Sequence, residues 1–473
     1  MSSRFIARWA RRLLLAQARR TPLRKLLTRS RAGAARLAMV AARNSRAYQC
    51  LLRESGVQPE LVDESFDFAK LPVLTKDNTF GRFSIDELAV TLPVAELADV
   101  LTSSGRGGRT FGFKLATRKQ YAAAAWSVDL GLQEAFDVDN KRTLLVNCLP
   151  MGIFLQSGAA TVANVSVRED MAVAILKALG PKFDQVVVCT DPLFVRQILD
   201  EAHRCRLNWP TLRASMILGE ESLVESQRDY IARELGIDPD RDASRLIGSS
   251  FGVGELGLNL LFETHESILL RRSARQKSSL RDLLLGSNYS GELPSIFCYN
   301  PLRCHVEVIE PNPQGFGKLC FTLNEPDAIV PLPRYTTGDW GRLIDSGDLS
   351  MLGECTDLIL PWLPMVMVCG RVADRLEGLP NVEEVKEAIY SIPWLADEVT
   401  GAFRIGRDKH GKCSLELQGK IPQSPDWVAR AESLLRNAFR PHNRPTEVRI
   451  VSADKFRGGG ILDYEKKFNY FAQ

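Results

Sequence analysis

Between residues 143 and 247, short apolar runs alternate with stretches in which apolar residues recur every three or four positions. Thr143 to Leu149, Gln185 to Cys189, Ala214 to Leu218 and Arg245 to Ile247 read as buried strands, and Pro192 to Arg204 and Ser222 to Leu235 as helices. Parallel strands need long crossovers, which helices supply, so this alternation predicts a mainly parallel sheet covered on both faces. From Gly291 to Asp345 the pattern changes to alternation punctuated by Pro and Gly, as in Val306-Glu307-Val308-Ile309-Glu310-Pro311, which predicts antiparallel structure. Beyond Gly370 a compact β/α/β pattern follows, with a helix from about Val382 to Tyr390. The expected class is α/β. A large N-terminal domain over 1–369 carries mainly parallel sheets and an antiparallel β subdomain at about 291–345, and a small, mobile α+β C-terminal domain covers 370–473.

At 473 residues the chain is long enough to need at least two cores, and 45% apolar with 25% charged residues is globular composition rather than that of a disordered chain. No run of about eighteen uncharged apolar residues occurs, so no integral membrane span is expected; Leu13-Leu14-Leu15 is short and Arg-flanked. Ten cysteines are scattered singly without CxxC spacing, which predicts reduced thiols in a cytoplasmic protein. Cys298 with Cys304-His305 is the nearest approach to a ligand cluster. Cys304 and His305 are adjacent on a predicted strand and face opposite sides, so the structural reading is preferred to a metal site.

The formal net charge is +4, yet residues 1–50 hold thirteen Arg/Lys and no acid. This basic helical start reads in three ways: a targeting peptide, a surface for an acidic partner or anionic lipid, or a solvated face of a helix packed on the domain. The solvated face is preferred. Aromatics are not interleaved with these arginines, which argues against nucleic acid. The oligomeric state is not legible, and a homodimer is one option.

Three segments carry chemistry. Thr102 to Arg109 (Thr-Ser-Ser-Gly-Arg-Gly-Gly-Arg) offers glycines that turn backbone N–H groups toward an anion, hydroxyl donors in Ser103 and Ser104, and a charged fork in Arg109. Ser249-Ser250-Phe251-Gly252-Val253-Gly254-Glu255 is predicted as the turn after a parallel strand, where ligands usually bind; Phe251 can stack on a base and Glu255 can hold a magnesium ion. In Pro333-Arg334-Tyr335-Thr336-Thr337-Gly338-Asp339, the carboxylate of Asp339 can accept both hydroxyls of a ribose. Gly370-Arg371-Val372-Ala373-Asp374 adds a cation, Arg371, that can pair with phosphate or ribose. Each segment alone also reads as an ordinary turn or a solvated charge, and for all but Asp339 that reading is preferred. Together they suit ATP-dependent activation of a carboxylic acid, which needs a triphosphate loop, a ribose anchor and charge to neutralise a pentacovalent phosphorus.

With these motifs in order, the chain from about Asn44 onward resembles the adenylate-forming superfamily of acyl-CoA synthetases, and most closely its phenylacetate-CoA ligase and capsule-biosynthesis branch. The resemblance also takes in Leu71-Pro72-Val73-Leu74-Thr75-Lys76. It implies that Ser103, Ser104 and Gly105 hold phosphate, with Gly108 and Arg109 completing the loop. It implies further that Ser250, Phe251 and Gly252 border the adenine, Glu255 ligates Mg2+, Asp339 binds ribose with help from Arg371, and Asp374 is the hinge of a rotating last domain. Lys467 aligns with the family's mobile catalytic lysine. Met151 to Phe154 fall where the branch holds its acid. The sequence departs from the family pattern at Arg106 and Gly107, at Arg109 and Thr110, at Gly254 where Ser or Thr is usual, and in lacking a Gly-Lys near its end.

The implied function is adenylation of a small carboxylic acid with ATP and Mg2+, then transfer to a thiol, either coenzyme A or the phosphopantetheine of an acyl carrier protein. Two alternatives stand beside it: a degenerate member that binds nucleotide or acyl-adenylate without turnover, and an adenylating ligase with an amine or hydroxyl acceptor.

Overall fold

The computed structural model describes residues 3–103, 110–287, 289, 291–371, 374–408, 410–420, 423–439, 444–456 and 462–471. The chain divides into two units, one of residues 1–140, 156–160 and 250–370, the other of 141–155, 161–249 and 371–473. One of the divisions falls at 370/371. Residues 141–155 and 161–249 group with the C-terminal segment.

The first unit is built on antiparallel strands in the order Cys304–Ile309, Gly317–Leu323, Asp339–Ile344, Met365–Arg371, Ser295–Tyr299 and Gly257–Phe262, with Ser250 to Val253 pairing on the last. This is the antiparallel region anticipated for 291–345, carried on into a larger sheet. Alternation sorts its side chains. Phe297, Tyr299, Phe321 and Val366 join a core with Ala34, Ala38 and Ala41 of the helix Leu23–Asn44, whereas Ile296, Cys298, Met365 and Met367 pack with Leu270, Ala274 and Leu284 from the helices His265–Gln276 and Ser278–Leu285. The alanines keep one helix face flat enough to lie close on the sheet.

The second unit holds the parallel strands, ordered Thr161–Asn164, Thr143–Asn147, Gln185–Thr190, Ala214–Leu218 and residues 247–249. Helices Glu169–Leu179, Val195–Arg204 and Glu225–Leu235 are the crossovers. The helix Val382–Tyr390 and the sheet of Val399–Arg407, Cys413–Gly419 and Glu447–Val451 share this core: Val188, Met216 and Ile231 cluster with Val385, Ile389, Phe403 and Tyr470.

One expectation is corrected here. The strand read at Arg245 to Ile247 runs Ile247–Val253, so Ser249 to Val253 are strand residues and not a turn. Gly248, Ser249, Ser250 and Gly252 look like turn chemistry, but partners satisfy this backbone, Ala214–Leu218 for its first half and Gly257–Phe262 for its second.

All ten cysteines are free. Among the described residues no group of three His, Cys, Asp or Glu side chains is placed to hold a metal. Burial, with Arg31 and Arg334 nearby, pushes the His305 imidazole down to about 4, so it stays neutral while its Nδ1 lies 3.3 Å from Ser30 Oγ.

Candidate active site

In the first unit the site is assembled by two extended segments. Pro72 keeps Leu71 to Lys76 out of a helix, and the stretch bridges to Tyr335: Leu74 N–H donates to Arg334 O at 2.9 Å, and Thr336 N–H donates to Leu74 O at 2.8 Å. Tyr335 in turn exchanges both backbone bonds with Phe321, at 2.8 and 2.9 Å. Arg334 locks the join. Its backbone is left-handed (φ +52°), and its buried guanidinium donates to the carbonyls of Ala69 and Leu71 at 2.6 and 2.5 Å.

This pairing delivers two side chains to one carboxylate. Lys76 Nζ lies 2.9 Å from Glu255 Oε1, and Tyr335 donates its hydroxyl to the same oxygen at 3.2 Å. Lys76 also donates to Ser103 Oγ at 2.7 Å, and Gly112 N–H donates to that hydroxyl at 3.0 Å. Ser103 N–H donates to Gly112 O at 3.1 Å, which closes the stem of a hairpin made by Leu97–Thr102 and Phe113–Thr117. The loop expected to cradle phosphate begins at Ser103, where the first strand of that hairpin ends. Ser103 is its buried base, while Ser104, Gly105, Gly108 and Arg109 lie outside the described residues.

Glu255 sits in the turn between strands Ile247–Val253 and Gly257–Phe262, its side chain buried. The turn abuts the hairpin so closely that both contact points require glycine. A Cβ on Gly254 would fall 2.5 Å from Ser103 Cα, and one on Gly112 would fall 2.1 Å from Glu255 Cγ. The departure at Gly254 therefore has a steric cause within this chain.

The adjoining residues are less convergent. Phe251 tilts against Phe321, with ring centroids 5.6 Å apart at 30°, and stays half-buried. Ser250 Oγ donates to Asn259 Oδ1 at 2.9 Å, and Gly252 is exposed. Asp339 is buried and accepts the hydroxyl of Thr337. It opens the strand Asp339–Ile344 after the left-handed Gly338 (φ +80°).

Arg371, Asp374 and Lys467 belong to the second unit. Arg371 ends the strand Met365–Arg371 after the left-handed Gly370 (φ +83°) and, like Asp374, is half-buried. Lys467 Nζ lies 3.6 Å from Glu220 Oε2. Its chain segment is tied to loops that follow the parallel strands. Glu465 accepts from Met151 N–H and Ser166 Oγ, both at 2.8 Å, and Glu221 Oε2 accepts from Tyr470 OH and Lys386 Nζ, both at 2.7 Å. Burial alone would raise Glu221, but Lys386, Tyr470 and Lys467 outweigh it and hold the carboxyl below its usual range. Asp191 beside it is pushed up to about 7 by burial and by the charge of Glu221. In the loop read as acid-binding, Ile153 O accepts from Asn147 Nδ2 at 2.7 Å and Phe154 is exposed.

Sequence reasoning gave no role to Lys76, Tyr335, Asp191 or Glu221. Lys76 had a signal: a lone cation ending a proline-stiffened apolar run.

No protein-family model and no curated protein matches the chain. Among solved structures, 2-hydroxyisobutyryl-CoA ligase in the postadenylation state, in complex with R3-HIB-AMP, superposes with a TM-score of 0.65 at 14% identity, over 95% of this chain and 89% of that one. The same ligase in an open conformation with 2-HIB-AMP and CoA gives 0.53 at 14% identity, over 95% and 91%. In the thioesterification state it gives 0.52 at 14%, over 95% and 89%. The likeness at this identity is one of fold.

Proposed function

We propose that this chain, whose fold is that of the adenylate-forming acyl-CoA ligases, activates a carboxylic acid with ATP and transfers the acyl group to a thiol. One carboxylate oxygen of the acid attacks the α-phosphorus, pyrophosphate leaves, and the thiol sulfur then displaces AMP from the acyl carbon as its proton is lost. The observation that carries the reading is the convergence, in one unit, of the base of the glycine-rich loop (Ser103), the Glu255 turn and the Pro333 to Asp339 segment about the Lys76–Glu255 pair.

In this reading Asp339 accepts the ribose hydroxyls and Phe251 flanks the adenine. Lys76 brings positive charge to the foot of the phosphate loop, where it favours a triphosphate. A magnesium ion bound with the nucleotide would neutralise phosphate charge, and a lone carboxylate such as Glu255 suits a hard ion that keeps waters and phosphate oxygens as its other ligands. Since Lys76 and Tyr335 both engage Glu255 Oε1, the lysine has to share or release that oxygen. In the same reading Arg371 assists at the ribose, Asp374 is the hinge of the last domain, and Lys467 acts on rate more than on binding.

Coenzyme A is the favoured acceptor, because neighbours of this fold include a ligase crystallised with an acyl-AMP and CoA. Carrier-bound phosphopantetheine is the other option. The test is to incubate the protein with ATP, magnesium and a panel of acids, with coenzyme A or a phosphopantetheinylated carrier, and to read products by mass spectrometry. The proposal predicts AMP and a thioester in step. Nucleotide binding without product across the panel would favour the degenerate member, and an amide or ester the third reading.

A further inference from the structure

We infer that the N-terminal helix Ser3–Arg20 docks the protein on an anionic phospholipid surface with its apolar face toward the lipid. The sequence reading preferred a charged, solvated face on a packed helix, and the structure shows the reverse. Arg8, Arg11, Arg12 and Arg19 reach back to the protein. Arg11 is buried and pairs with Asp129 at 3.5 Å and with Asp139, and its guanidinium lies over the Trp126 ring at 5.3 Å. Arg8 donates to Asn140 at 2.7 Å, Arg12 donates to the same side chain, and Arg19 pairs with Glu134 at 2.7 Å.

The apolar residues face solvent. Ile6, Trp9 and Leu13 are 59, 62 and 68% exposed, and Phe5 and Leu14 are also exposed. At 3.6 residues per turn, Phe5, Ile6, Trp9, Leu13 and Ala16 fall within an arc of about 100° that also contains Arg20. A monomer in water gains nothing by burying arginines and exposing tryptophan, so this face is made to be covered.

Charge decides what covers it. Arg20, Arg24, Lys25, Arg29 and Arg31 are exposed, and residues 1–50 contain no acid. An apolar arc with Trp and Phe, on an N-terminal segment whose charged residues are all cations, fits the boundary between anionic headgroups and acyl chains. A second copy of this chain would bring two all-cationic segments together. An acidic protein read by the helix arginines would find Arg8, Arg11, Arg12 and Arg19 already engaged. No helix among the described residues is long and apolar enough to cross a membrane, so the helix would lie in the surface plane.

The experiment is co-sedimentation of the full-length protein with vesicles of phosphatidylcholine alone or mixed with phosphatidylglycerol, at low and high salt, for wild type and for Ile6→Gln/Trp9→Gln/Leu13→Gln. The variant leaves every arginine contact in place, and its melting curve checks the fold. The expected result is binding to mixed vesicles only, weakened by salt and at least ~10-fold lower in the variant. Three results would overturn the inference: no binding by wild type, equal binding by a folded variant, or a wild-type dimer that the variant dissolves while neither binds lipid.

Discussion

Lys76 and Glu255, far apart in the chain, form a 2.9 Å salt bridge in which the carboxylate is buried and the ammonium partly exposed. The ammonium also reaches Ser103 at the foot of the glycine-rich loop, so one lysine couples two segments given separate roles in nucleotide binding. Removing either partner leaves a charge without its complement, at a cost that the exposure of Lys76 moderates to about 1–3 kcal/mol. Glu255→Gln and Lys76→Met should each destabilise the first unit, and the double variant should lose about 1 kcal/mol or more less than the sum. Urea denaturation of all four proteins measures this coupling, and strict additivity would show that the two side chains do not interact.

Gly254 separates a reading by resemblance from one by geometry. Family pattern makes Gly254→Ser harmless, whereas the 2.5 Å approach of a Cβ to the Ser103 backbone makes it an overpacking change. The expected loss is about 1–3 kcal/mol in denaturant unfolding, with weaker ATP binding. A variant as stable as wild type would mean that the hairpin and the Glu255 turn are not in contact.

For Asp339→Ala, ATP binding measured by calorimetry should weaken by roughly 10- to 100-fold, because charge-assisted hydrogen bonds to ribose contribute about 1.5–3 kcal/mol. The circular dichroism spectrum should be unchanged. Wild-type affinity in the folded variant would remove the ribose role.

The second unit should show a pH dependence traceable to Asp191. Its folded value, about 7, lies above the ordinary aspartate range, so the folded state holds the proton more tightly than the unfolded state. The contribution is therefore fully present below about pH 4 and is lost progressively as pH rises through about 7. Asp191→Asn keeps an acceptor for the N–H groups of Leu193 and Phe194, which bond at 2.7 and 2.9 Å, and should flatten the decline in urea-derived stability between pH 5 and 8 by roughly 1–3 kcal/mol. An unchanged slope would show that Asp191 does not titrate there.

The parts of the fold that were legible had strong periodicity. The strand Ala214–Leu218 and the helix Val382–Tyr390 match their predicted bounds because apolar spacing alone specifies them. Ile247–Val253 was misread because Gly and Ser at four of its seven positions signal a turn, and only its two partner strands make it extended. Ser103, Glu255 and Asp339 stand out in the sequence through local chemistry alone. The contacts of Lys76 are not legible in sequence because they depend on the Leu74–Tyr335 bridge, which no local pattern records. The N-terminal helix was visible in sequence, but which face it buries depends on Asp129, Asp139 and Glu134, acids more than a hundred residues away.

Exchange of labelled pyrophosphate into ATP, with no thiol present, tests the central claim most directly because it reports the adenylation step alone. The account predicts exchange that depends on a carboxylic acid, is strongly reduced in Asp339→Ala, and slows in Lys467→Ala while Lys466→Ala, whose side chain is exposed beside Asp463, remains close to wild type. ATP binding with no acid-dependent exchange across a broad panel of carboxylic acids would contradict it.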